Sequence, residues 1–229
     1  MLGPARRAHI VYQQLLDAFG NPEWRSPLPP VDELVSTMLS QNTNDINRDR
    51  AYAALRAKFP TWEAVRDAKK SAVIRTIRSA GLANQKGPRI QGVLRQITQE
   101  RGNLELGFLK SLPLEDARRW LLKFKGVGPK TAAIVLLFSL GHPAFPVDTH
   151  IYRVTGRIGL RPLKMGVEQA HEHLEKLFSP EEYSAAHLNL IRLGRQICHP
   201  RKPDCPKCPV RTWCEYEPKT QAMGKAGKA

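Results

Sequence analysis

All four cysteines of the chain, Cys198, Cys205, Cys208 and Cys214, fall in one stretch with the spacing C-x6-C-x2-C-x5-C. Four soft sulfur donors so close in sequence can wrap one metal centre with little loop-closure entropy. The short C-x2-C pair with flanking prolines suits iron–sulfur ligation. A structural zinc site is the rival reading. Such sites usually offer two short cysteine pairs, and here only Cys205 and Cys208 form one. Two disulfides are the third reading, and they suit a secreted chain. The N-terminal MLGPARRAHIVYQQLLDAFG lacks the continuous apolar core of a secretory signal.

A second stretch, LLKFKGVGPKTAAIVLLF from Leu121 to Phe138, carries a different chemistry. A helix ends near Lys125. Gly126-Val127-Gly128 turns, and Pro129 opens a new helix at its favoured first position. Glycines let a backbone approach a partner closely, and free N–H groups at a helix start attract an anion. The unit therefore reads as a phosphate clamp blind to base sequence, with Lys125 and Thr131 beside it. A glycine turn between packed helices is the plainer account. A nucleotide P-loop is discarded, because Pro129 separates Gly128 from Lys130 and a helix precedes the turn.

Lys130 stands just inside the second helix, where a cation is badly placed against the dipole. Burial and positive surroundings lower a lysine pKa, which is what an amine nucleophile needs. An exposed lysine reaching for solvent is the ordinary alternative. Asp148, in PVDTHIYR, is placed to cap the helix THIYRVTGRIGL. Facing Lys130 across a cleft, its carboxylate would instead stabilise a cationic transition state. His150 reads as a local support.

Helical periodicity runs through IVYQQLLDAF, VDELVSTML, RDRAYAALRAKF, AVIRTIRSA, ARRWLLKF, TAAIVLLFSL, VEQAHEHLEKLF and the segment before Cys198. Prolines mark the joints, and Thr61 and Ser179 are placed as N-caps. Alternating β-branched patterns are nearly missing, so the predicted fold is all-α. The 229 residues are 41% hydrophobic, enough for a sizeable core. The net charge of +15 points to a polyanionic partner, nucleic acid first. No 18-residue apolar run predicts a membrane span. Cytoplasmic localisation is expected, and the last residues, 219–229, read as a disordered basic tail.

Helix–GVGPK–helix, then VDTHIYRV, then the four cysteines, resembles the endonuclease III family of DNA glycosylases. The motifs occur in family order, and the resemblance runs from roughly Val31 to Tyr216. It implies two helical lobes with a DNA-binding cleft between them, a helix-hairpin-helix motif and a C-terminal [4Fe–4S] cluster loop. It suggests a six-helix block near 23–136, flanked by a cluster domain of 1–22 and 137–218. It gives Lys130 the place of the nucleophile, Asp148 that of the catalytic aspartate, and the four cysteines those of the cluster ligands. Leu39–Asp45 resembles the loop that fills the space of an extruded base, through Gln41 or Asn42. Leu82 resembles the intercalating wedge, though a core leucine is nearly as good a reading. Arg201, Lys202, Lys207 and Arg211 would form a basic loop near phosphates, or only a solvated face. Pro129 departs from the family, where Arg or Lys is frequent.

The implied activity is that of a monomeric bifunctional DNA glycosylase and AP lyase acting on duplex DNA with damaged bases or abasic sites. Oxidised pyrimidines are the family's usual substrates. A monofunctional glycosylase of the same superfamily, a non-catalytic DNA-binding protein and an electron carrier are the alternatives. The joint presence of Lys130 and Asp148 argues against the binding protein, and the charge and hairpin against the carrier.

Overall fold

A computed structural model of the chain describes residues 3–24 and 27–216. The expected tail at 219–229 lies outside them. Among the described residues there are eleven α-helices, joined by short 3-10 turns, and no strand. The all-α expectation holds.

The chain forms two compact units, one continuous from Pro27 to His142 and one built from the residues on either side. The split unit opens with α1 (Pro4–Phe19), which buries Ala8, Val11 and Leu15 along one stripe.

The continuous unit begins with α2 (Pro30–Ser40), started by a proline at its first position. Val31, Leu34, Val35, Met38 and Leu39 repeat at helical spacing and are all buried. Each such side chain contributes about 1.5–3 kcal/mol relative to exposure. Next come α3 (Asp45–Lys58), α4 (Trp62–Asp67), α5 (Lys70–Thr76) and a 3-10 turn at Arg78–Ala80. Thr61 caps α4 as expected, accepting from the Ala64 N–H at 3.1 Å. Then come α6 (Ala83–Arg101), α7 (Leu114–Leu122) and α8 (Pro129–Ile134). Helix α2 packs on α3, α6 and α8, which makes it the centre of the unit.

Helix α6, at 19 residues the longest, lies where the periodicity marked no helix. Gly87, Pro88 and Gly92 break the pattern. Gly87 sits so close to α5 that a Cβ there would meet the Ile74 side chain at 3.0 Å. Tertiary packing on α4 and α5 overrides the local propensities. Helix α8 runs directly into a π-helical turn, Val135–Ser139. The expected division after residue 136 would cut this run, and the units part instead between His142 and Pro143.

The split unit resumes with α9 (Thr149–Arg157), α10 (Val167–Glu175) and α11 (Tyr183–Gln196). Helix α11 packs on both α9 and α1. Ser179 and Glu182 close a capping box before α11. Phe145 anchors the core, stacked on Phe178 at 5.3 Å and edge-on to Tyr183 at 5.4 Å. No helix among the described residues is long and apolar enough to cross a membrane.

Candidate functional site

The hairpin turn comes after α7. The Val127 N–H donates to the Phe124 carbonyl at 3.0 Å, and Gly126 has φ +97°, a conformation open to glycine. A Cβ on Gly126 would meet Cδ of Arg89 at 3.1 Å. Gly128 is extended, with open space where a Cβ would stand. Gly126 is thus required by the turn itself, while Gly128 leaves the start of α8 uncovered. Lys130 is the second residue of α8 and is half-buried.

Other hairpin residues divide. Lys125 is exposed. The side chains of Val127 and Thr131 are 5% and 3% exposed and face inward. Thr131, expected beside a phosphate, instead accepts from Nε2 of Gln41 at 3.4 Å. The same Nε2 donates to the Gly126 carbonyl at 3.0 Å. The Gln41 loop and the hairpin are therefore tied together. Asn42 is exposed with φ +51°, and Asn44 caps α3 through the Asn47 N–H at 2.9 Å.

Leu82 precedes α6 in the left-handed conformation, φ +49°, and is 48% exposed. It is not a core leucine. One residue here gave no signal in the sequence. Lys86 is 3% exposed, and its Nζ donates to the carbonyls of Leu39 and Ala80, both at 2.7 Å. Burial pushes its pKa down to about 8.

In the split unit, Asp148 caps α9, its Oδ1 accepting from the Ile151 N–H at 2.8 Å. The loop before it is fixed by the core, with Nδ1 of His187 at 2.9 Å from the Pro146 carbonyl. His150 is half-buried, with its Nδ1 3.2 Å from Nη2 of Arg153. Arg153 only donates, so this contact is a hydrogen bond only when Nδ1 carries no proton. Burial lowers the His150 pKa, and Arg153 and Arg195 add to this against the pull of Asp148. Arg153 also donates to the carbonyls of Cys198 and Gly194, at 2.9 and 2.8 Å.

No disulfide joins the four half-buried cysteines, which removes the disulfide reading. They line one pocket, whose apolar wall includes Ile158, Leu193 and Ile197. Burial, with the neighbouring Cys198, Cys214 and Cys205 adding, pushes the Cys208 thiol up to about 11. Four thiolates cannot share such a space without positive charge to balance them. Nη1 of Arg157 donates to Sγ of Cys198 at 3.3 Å, and the Tyr216 N–H to Sγ of Cys214 at 3.5 Å. Such hydrogen bonds to sulfur accompany cluster ligation. Among the described residues no three His, Cys, Asp or Glu side chains gather to hold a single ion. The donor set and the shared cavity fit an iron–sulfur cluster.

The basic loop is uneven. Arg201 and Lys202 are exposed. Lys207 is paired with Asp204 at 2.8 Å, and Arg211 lines the cysteine cavity instead of a solvated face.

The family model of HhH-GPD superfamily base excision DNA repair proteins matches residues 35–180. Endonuclease III of Thermotoga maritima is 32% identical over 187 residues, covering 82% of this chain and 83% of that protein. A candidate DNA glycosylase of Arabidopsis thaliana is 40% identical over 151 residues, covering 66% of this chain and 52% of that protein. The chain thus spans about half the length of this plant relative. The fold superposes on endonuclease III trapped as a covalent intermediate with DNA, with a TM-score of 0.83 and 28% identity. That match covers 97% of this chain and 100% of the other.

Proposed function

The chain belongs to the HhH-GPD superfamily of base excision DNA repair proteins, and from that premise we propose a bifunctional DNA glycosylase and AP lyase. Its proposed substrates are oxidised pyrimidines in duplex DNA. The observation that carries this reading is Lys130, half-buried at the start of the helix after the glycine turn. The fold is shared with an endonuclease III that was trapped covalently on DNA. An amine at this position supplies the nucleophile that such a covalent bond requires.

In the proposed reaction the damaged nucleotide leaves the stack and enters the site. The neutral Nζ of Lys130 attacks C1′ of the sugar, and a C1′–N bond forms. The glycosidic bond breaks, its electron pair leaves with the base, and the base takes up a proton. Asp148 opposes the positive charge that grows on the sugar. Opening of the sugar ring gives a Schiff base. Loss of a C2′ proton then expels the 3′ phosphate, and water releases the lysine.

Cys198, Cys205, Cys208 and Cys214 are the proposed ligands of a [4Fe–4S] cluster. When bound, the cluster supplies iron–thiolate cross-links that close the loop after α11. The exposed Arg201 and Lys202 of that loop, with Lys125, are the proposed phosphate contacts. The net charge of +15 suits the same polyanion.

Borohydride trapping tests the proposal, on duplexes carrying an abasic site or thymine glycol. Wild-type protein should give a covalent complex that Lys130→Ala loses. Base release without trapping would replace the reading by a monofunctional glycosylase. Absence of both trapping and base release would overturn it.

A further inference from the structure

We propose that Lys86 is a positioning residue: its buried ammonium fastens the end of α2 to the turn before Leu82, so that both loops meet DNA as one rigid piece. The inference rests on the proposed DNA-repair function.

Both acceptors of Lys86 are carbonyls at helix ends. Leu39 lies in the last turn of α2, and Ala80 closes the 3-10 turn Arg78–Ala80. Such carbonyls have no partner within their own helix and carry the negative end of its dipole. One ammonium answers both at 2.7 Å. The backbone N–H of Lys86 also donates to the Leu82 carbonyl at 2.9 Å. Leu82 is therefore held through the main chain of Lys86 and, by way of Ala80, through its side chain.

Each acceptor stands just before a residue proposed to enter the base stack. Two residues after Leu39 comes Gln41, and two residues after Ala80 comes Leu82. Asn42 and Leu82 both have positive φ, at +51° and +49°. Non-glycine residues keep that conformation only where their surroundings over-determine it. A wedge and a gap-filling side chain must also enter the stack at a fixed separation, and a misplacement of about 1 Å can slow chemistry about a hundredfold.

The test compares Lys86→Met, which removes both donors, with Lys86→Arg, which again supplies them. Amide hydrogen exchange on the protein alone should show lost protection in 40–44 and in 80–84 together with Met. Arg should restore both. On a thymine glycol duplex with 2-aminopurine beside the lesion, Met should suppress the fluorescence rise. It should slow single-turnover excision by about tenfold to a hundredfold. Affinity for undamaged duplex should fall less than excision does, because the proposed phosphate contacts at Lys125, Arg201 and Lys202 remain. If Lys86→Met does not fold, Lys86→Gln, whose shorter amide spans the two carbonyls poorly, is read the same way.

A variant that only melts earlier, with exchange in both segments, fluorescence and excision near wild type, overturns the proposal. Wild-type protein that never raises the fluorescence overturns the repair reading, and the DNA-entry role of Lys86 falls with it. Loss of signal in Lys86→Met, with wild type and Lys86→Arg both responding, separates the two cases and supports the strut.

Discussion

Nε2 of Gln41 donates to the Gly126 carbonyl at 3.0 Å, so the loop after α2 and the hairpin turn hold each other. Gln41 is half-buried and bonded, whereas its neighbour Asn42 is exposed. The two candidates for filling a vacated base space therefore differ in what else they do. Gln41→Ala should lower stability by about 1 kcal/mol and also weaken duplex binding, because the Gly126 turn loses a partner. Asn42→Gly should leave stability nearly unchanged. Urea denaturation and salt titration of duplex binding read the two effects. Equal behaviour of the variants would refute this division of labour.

Leu82 combines exposure with a left-handed backbone, a pairing that folding alone does not favour. Leu82→Gly removes the steric conflict and leaves no core cavity. It should raise stability by up to about 1 kcal/mol while excision falls sharply. A variant that melts higher and still excises at the wild-type rate would show that the side chain is no wedge.

The folded-state pKa of His150 lies below its ordinary value of 6.5. The unfolded chain therefore takes up a proton at this site before the folded one does. The contribution to stability is full above pH 6.5 and is lost as pH falls through the folded value. Protonation of Nδ1 would also break the bond from Arg153. Wild-type stability should decline more steeply than that of His150→Asn between pH 7 and 5, followed by denaturant melts. Parallel curves would contradict the assignment.

Burial, with its three cysteine neighbours adding, raises the Cys208 thiol. Its thiolate needs a cationic partner such as a metal. Cys208→Ser should lower bound iron and sulfide, and visible absorption should fall in proportion. Zinc in place of iron in the wild type would contradict the cluster.

Much of this was legible in the sequence. Asp148 as a cap, the turn at Gly126 and the gathering of four cysteines follow from spacing and local chemistry. Lys86 did not, because a lysine in a polar stretch reads as surface. Only the folding of α2 and the 3-10 turn around it supplies its two acceptors. Thr131 and Arg211 differ in the opposite sense: polar residues beside a binding motif look exposed until packing turns Thr131 inward and sets Arg211 against the cysteine pocket. Helix α6 was hidden by Gly87 and Pro88, whose local preferences lose to contacts with α4 and α5. The π-helical turn after Ile134 has no sequence signature at all.

The split unit has a consequence for synthesis of the chain. Helix α1 emerges before the continuous unit, yet its partner α11 begins only at Tyr183. Arg192 donates to the Phe19 carbonyl at 2.9 Å and Asn189 to that of Gly20 at 3.1 Å. Helix α1 must wait, without α11 over its apolar stripe, while the continuous unit from Pro27 to His142 is made. Domains fold as units during synthesis, at about 5–20 residues per second. The unit that carries both Asp148 and the four cysteines closes only once α1 meets α11.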